Sequence, residues 1–134
     1  MLAGPAGVGK TSLANALCNS ISADTLFVNA SLDRGIGDVR TNVAQFASCS
    51  SLVSGQKVVI LDEADNLTQD SQKALRALIE EFQGHCRFIL TCNYPHNIID
   101  AIHSRCSVFD FHTRSEKQLA SLSSKFFQHC VTIL

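Results

Sequence analysis

Gly4-Pro5-Ala6-Gly7-Val8-Gly9-Lys10-Thr11, with Ser12 behind it, lies between a short apolar stretch, Met1-Leu2-Ala3, and an apolar stripe at helical spacing, Leu13, Ala14, Leu17, Cys18 and Ile21. A strand, a glycine-rich turn and a helix in that order make a phosphate-binding loop. The glycines let successive backbone N–H groups turn inward around a polyphosphate, and the helix adds the positive end of its dipole. Lys10 is placed to reach the β and γ phosphates. The Thr11 hydroxyl suits Mg2+, a hard cation that takes oxygen ligands and keeps phosphate oxygens beside them. Residues 4–12 are therefore expected to bind a nucleoside triphosphate.

Three residues make a short strand for the middle of a sheet, where five or six is usual. The reading is of a chain truncated at its N-terminus. The 134 residues are 46% hydrophobic, enough for one core. There is no run long enough to cross a membrane, and no apolar leader precedes the phosphate loop, so a soluble, cytoplasmic protein is expected. Cys18, Cys49, Cys86, Cys92, Cys106 and Cys130 show no C-x-x-C spacing and are read as reduced residues rather than a disulfide framework or zinc site. A net charge of −1 excludes any global attraction to nucleic acid; contact would need a local basic patch.

Apolar runs alternate with helical patterns, the signature of βαβ units around a parallel sheet. The runs are Leu26 to Asn29, Val58 to Leu61, Phe88 to Thr91 and Val108 to Phe111, each without polar alternation, as strands covered on both faces should be. Between them Ile36, Val39, Val43 and Phe46 define one amphipathic helix, and Leu75, Leu78, Ile79 and Phe82 another. Ser115 with Gln118 has the capping-box pattern that opens a last helix through about Cys130. The fold class is α/β, a three-layer parallel-sheet P-loop NTPase, with a core over 1–113 and residues 114–134 leading out of it.

The second motif is Val58-Val59-Ile60-Leu61-Asp62-Glu63-Ala64-Asp65. In a parallel sheet, ligands sit outside the carboxyl ends of the strands, so Asp62 emerges beside the phosphate loop, where it can join Thr11 in holding Mg2+. Glu63 points past it and can accept a proton from, or orient, an attacking water. Asp65 and Asp70 fit equally well as a solvated acidic turn before the next helix. Asn93 follows the run Phe88-Ile89-Leu90-Thr91-Cys92. A neutral amide there can fix that water without competing for its proton, although an Asn after a strand is also an ordinary turn former.

Taken together these residues resemble the AAA+ ATPases and, within them, the sliding-clamp loaders. Phe27-Val28-Asn29-Ala30-Ser31, Asp33-Arg34-Gly35-Ile36 with Val39-Arg40, Asp62-Glu63-Ala64-Asp65, Cys92-Asn93-Tyr94 and Ser104-Arg105-Cys106 look like small subunits of replication factor C. Ile79-Glu80-Glu81-Phe82, Arg87 to Asn93 and His103 to Cys106 look most like the ATPase subunit of T4-type phage clamp loaders. The resemblance implies ATP and Mg2+ as ligands, a strand order of 5-1-4-3-2, and a host-cytoplasm location if the chain is phage-encoded. It implies other clamp-loader subunits, a sliding clamp and primer-template DNA as partners, with no membrane. It assigns Ser104-Arg105-Cys106 as an arginine-finger motif. Such an arginine, donated to a neighbour's nucleotide, makes hydrolysis depend on assembly. The catalytic set is thus Lys10, Glu63, Asn93 and, in trans, Arg105.

For DNA, Arg34, Ile36, Gly37, Arg40 and Thr41 stand near one helix start, and Lys73 near the next. Helix N-termini offer N–H groups to phosphate oxygens and the cations add attraction without sequence preference. Arg76 and Glu80, four residues apart, fit a simple pair on a solvated face, and Lys73 fits the same face. Gln72 reads either as a link between the nucleotide site and the DNA surface or as a solvated glutamine. The family's adenine-pocket segment, helical lid and collar are not recognised in this sequence, so weak ATP binding and little hydrolysis are expected of the chain by itself.

Overall fold

The computed structural model describes residues 1–32, 36–50 and 55–111. Arg34, the helix expected from Ser115 and the whole of 114–134 lie outside the described residues. In chain order the elements are β1 (Leu2–Ala3), α1 (Lys10–Ser20), β2 (Asp24–Asn29), α2 (Ile36–Ser48), β3 (Lys57–Asp62), α3 (Gln69–Phe82), β4 (Arg87–Cys92), α4 (Asp100–His103) and β5 (Phe109–Asp110). Single 3-10 turns, Ala64–Asn66 and Pro95–Asn97, follow β3 and β4.

The five strands form one all-parallel sheet in the order β2-β3-β4-β1-β5, the expected order read from its other edge. β1 is only two residues long yet sits inside the sheet, with Leu2 beside Thr91 of β4 and Phe109 of β5. Strand alternation sorts the core into two faces. Leu2, Val58, Ile60 and Ile89 pack with Ala14, Leu17 and Cys18 of α1. Ala3, Val59, Leu61 and Leu90 pack on the other face with Val39 and Val43 of α2, Leu75 and Leu78 of α3, and Ile102 of α4. Helix, sheet, helix are the three layers.

The expectation of strands covered on both faces fails at both sheet edges: around β5 Val108 is 42% exposed and Asp110 is exposed, and the longer case is β2. It is an edge strand whose burial alternates, and Phe27 is 46% exposed. Coverage on both faces requires neighbours on both sides, which β2 lacks. Among the described residues, β3 and the short β1, both inside the sheet, are buried along all or almost all of their length.

Three local devices fix the sheet's carboxyl edge, where the site lies. Gly4 runs so close to β5 that an added Cβ would stand 2.5 Å from the Phe111 carbonyl oxygen, while its N–H donates to the Cys92 carbonyl at 3.1 Å. Gly9 caps α1 in the left-handed region, φ 89°, so that the helix begins at Lys10. Thr68 caps α3, its hydroxyl accepting from the Ser71 N–H at 3.2 Å, with Asp70 in the first turn favouring the dipole.

Candidate nucleotide-binding site

The phosphate loop, the ends of β3 and β4, and the turn after β3 enclose a cleft of about 280 Å³. It is lined by loop residues 6, 7 and 9–12 with Asp62, Glu63, Thr91 and Asn93. Drug-sized ligand pockets begin at about 300 Å³, so this cleft suits the phosphate end of a nucleotide. Lys10 is 7% exposed. Its ammonium donates to the carbonyls of Gly4 and Pro5, both at 2.8 Å, and to Asn93 Oδ1 at 2.9 Å. Burial pushes its pKa below the usual lysine value, against the opposing pull of Cys92, Asp65, Asp62 and Glu63. The loop thus holds its lysine folded inward on three oxygens that a phosphate can replace.

Asp62 and Thr11 meet at the floor of the cleft, the Thr11 hydroxyl donating to Asp62 Oδ1 at 2.6 Å. The Thr91 hydroxyl donates to the same oxygen at 2.8 Å and accepts from the Glu63 N–H at 3.0 Å. A hydroxyl and a carboxylate are hard oxygen donors, and no group of three or more His, Cys, Asp or Glu side chains suited to a metal occurs among the described residues. Two protein oxygens completed by phosphate and water are the donor set Mg2+ favours over a protein cage. Thr11 and Asp62 fit that ion.

Glu63 has a left-handed backbone, φ 55°, which is uncommon and costly for a residue with a Cβ. The Thr91 hydroxyl and the following turn hold it there. Its Oε2 accepts from the Ser31 hydroxyl and from Asn66 Nδ2 at 3.4 Å, while Asn66 also donates to the Ser31 hydroxyl at 2.8 Å. The carboxylate is therefore turned toward the end of β2. Asp65 is buried, at 8% exposure, and is not the solvated turn residue that was one reading of it. Its Oδ2 accepts the backbone N–H groups of Asn93 and Tyr94 at 3.2 and 3.0 Å, fixing the strand end from which Asn93 reaches Lys10. Asp70 is the exposed one and pairs with Lys73 at 2.9 Å.

Gln72 is also buried, at 1% exposure, which corrects the solvated alternative. It donates to the carbonyls of Leu67 and Asn97 and accepts from the Ile99 N–H, at 3.2, 2.9 and 2.9 Å, stitching α3 to the connection between β4 and α4. Arg105 stands apart from the chain's own cleft, on the turn after α4, bonded to Glu80. Arg40, Gly37 and Thr41 are exposed on α2, whereas Ile36 leans on the core. Arg40 pairs with Glu81 at 3.0 Å. Lys73 and the Glu81 contact lie about 12 Å apart along α3 at the usual helical rise, so the two cations are spaced out rather than gathered in one patch.

Thr91, Ser31, Asn66 and Asp65 carry the site's inner hydrogen bonds, and no role was assigned to the first three from sequence. Thr91 had one signal: it lies two residues after Ile89, hence on the α1 face, as the polar member of an apolar strand. The buried thiols are chemically quiet. Burial, then the nearby Asp65 carboxylate, lifts Cys92 to about 11, and burial raises Cys86 and Cys106. None of the five described cysteines is in a disulfide.

The model of the AAA family, ATPases associated with various cellular activities, matches residues 1–116. The chain belongs to this family. A replication factor C small subunit of Methanosarcina barkeri is 43% identical over 126 residues, which span 89% of this chain and 38% of that protein. Another, from Natronomonas pharaonis, is 47% identical over 116 residues, 83% and 36% of the two chains. The chain thus spans less than two fifths of the length of these relatives. Among solved structures, the Thermotoga maritima RuvB Holliday junction branch migration motor superposes with a TM-score of 0.67 at 24% identity, over 88% of this chain and 39% of that one, a likeness of fold. Among the described residues, no helix is long and apolar enough to cross a membrane.

Proposed function

We propose that this AAA chain is the ATP-hydrolysing core of a sliding-clamp loader subunit, acting in the cytoplasm. ATP binding lets the assembled subunits grip an open ring clamp on primer-template DNA, and hydrolysis releases the closed clamp. The observation that carries this reading is the 43% identity to a replication factor C small subunit across 89% of the chain. The short likeness to phage clamp-loader subunits belongs to the same proposal, as do the division into a core over 1–113 and a segment 114–134 that leads out of it.

In this reading Lys10 turns from the Gly4 and Pro5 carbonyls to the β and γ phosphates, and the loop N–H groups cradle them. Thr11 and Asp62 hold Mg2+, which neutralises charge on those phosphates. Glu63 leaves Ser31 and Asn66 to orient the attacking water, with Asn93 beside it. A neighbour's Arg105 supplies the remaining charge. Arg40, with Gly37, Thr41, Lys73, Ile36 and Arg34, follows the DNA backbone, exchanging the Glu81 and Asp70 carboxylates for phosphates. ATP hydrolysis by the full-length protein assembled with its subunits tests the reading. A clamp plus primer-template DNA should stimulate it at least ten-fold more than forked or blunt DNA; stimulation by forked or junction DNA instead would favour a branch-migration motor.

A further inference from the structure

We propose that Glu80 is the positioning residue that presents Arg105 to a neighbouring subunit, an inference that rests on the reading of Arg105 as a finger acting in trans. The backbone under Arg105 is firm. Its N–H donates to the Ile102 carbonyl at 3.0 Å and that of Ser104 to Asp100 at 2.9 Å, so the turn prolongs α4. Ile102 is wholly buried and His103 Nε2 lies 2.9 Å from the Pro95 carbonyl, which pins α4 to the body of the domain.

The side chain is held on one side only. Arg105 Nε donates to Glu80 Oε1 at 2.6 Å, and Nη1 donates to the Ala101 carbonyl at 2.8 Å and to the Ser104 hydroxyl at 3.3 Å. Nη2 has no hydrogen-bond partner among the described residues, and the side chain is 35% exposed. A planar guanidinium fixed through Nε and Nη1 keeps Nη2 as its one uncommitted nitrogen, a charged donor that a phosphate oxygen can accept from.

Glu80 is itself braced, accepting from Arg76 Nε and Nη2 at 3.3 Å. The hydrogen bond from Arg105 holds the Glu80 carboxyl below its ordinary pKa, with help from the charges of Arg105 and Arg76. The three side chains together carry one net positive charge, so Arg76 restores what Glu80 would subtract from the finger's field. An exposed ion pair contributes little to stability. Its consequence here is geometric: a long side chain already held in one rotamer loses less freedom when a neighbour's γ-phosphate arrives.

The test compares kcat and KM for ATP hydrolysis by the full-length protein assembled with its subunits and isolated as a complex. Arg105→Ala should lower kcat at least 100-fold. Glu80→Met, which keeps length but accepts no hydrogen bond, should lower kcat about ten-fold with KM within two-fold. Glu80→Gln, whose amide oxygen still accepts from Nε, should stay within three-fold of the parent. Adding Glu80→Met to Arg105→Ala should cost nothing further, because Glu80 acts only through Arg105. Parent-like kcat in Glu80→Met beside an impaired Arg105→Ala would overturn the role of Glu80 alone, as would an additive loss in the double variant. Failure of Glu80→Met to assemble where Glu80→Gln assembles would make Glu80 part of the interface and overturn it too. Parent-like turnover in Arg105→Ala would remove the finger and the proposal with it.

Discussion

Thr91→Val replaces a hydroxyl by a methyl of nearly the same shape, in a β-branched residue that a strand accepts. Thr91 is 1% exposed, so its two hydrogen bonds are made in a nearly dry setting. Its bond to the Asp62 carboxylate has a charged acceptor, worth about 1.5–3 kcal/mol, and its loss leaves the Glu63 N–H without its acceptor, costing about 1–3 kcal/mol. Against this, burying the extra methyl returns about 1 kcal/mol, and relaxation of Glu63 out of its left-handed backbone returns about 1 kcal/mol more. The net loss is about 0.5–4 kcal/mol. Urea unfolding of the full-length parent and variant, followed by circular dichroism, measures it. Turnover should fall about ten-fold as well, since the peptide that aims Glu63 is freed. Stability within about 0.3 kcal/mol of the parent, with parent-like turnover, would refute the claim that Thr91 sets the acidic turn.

Lys10 gives a pH dependence. In the proposed role, protonated Lys10 binds phosphate, and burial in the free protein lowers its pKa from 10.5, so ATP affinity should be full below that lowered pKa and fall as pH rises through it, starting before 10.5. ATP titrations across the alkaline range should show that limb in the parent and none in Lys10→Met. Gly4→Ala should destabilise the protein by about 1–3 kcal/mol in thermal unfolding, because its Cβ collides with backbone at Phe111 and only a shift of β5 relieves it.

The fold was legible because its signals are local. A glycine-rich loop between an apolar stretch and a helical stripe places β1 and α1, and apolar runs of strand length alternating with amphipathic stripes place the rest. Strand order was reached through family resemblance, since β1 to β4 and β1 to β5 pairings join residues about 90 to 107 apart and leave no local mark. Periodicity misled at β2, where Leu26-Phe27-Val28 reads as fully covered although the sheet ends there. In the site, Lys10, Thr11, Asp62 and Glu63 were legible as motif members. Asp65 and Gln72 were ambiguous, because a polar residue after a strand or on a helix looks solvated until a distant backbone is shown to need it. Asp65 answers the N–H groups of Asn93 and Tyr94; Gln72 answers Leu67, Asn97 and Ile99. The partners of Arg105 and Arg40, on α3, were hidden for the same reason.

Glu63→Gln in the full-length protein, assembled with its subunits, tests most directly whether this cleft hydrolyses ATP. Two quantities are read on one preparation: equilibrium affinity for ATP and single-turnover hydrolysis. The amide keeps the shape of Glu63 and can still meet Ser31, but it cannot accept a proton from water. Affinity should stay within about three-fold while hydrolysis falls by about 100-fold or more, the contribution of a positioned general base. Parent-like turnover in Glu63→Gln would contradict the account, placing the chemistry elsewhere than the turn between β3 and α3.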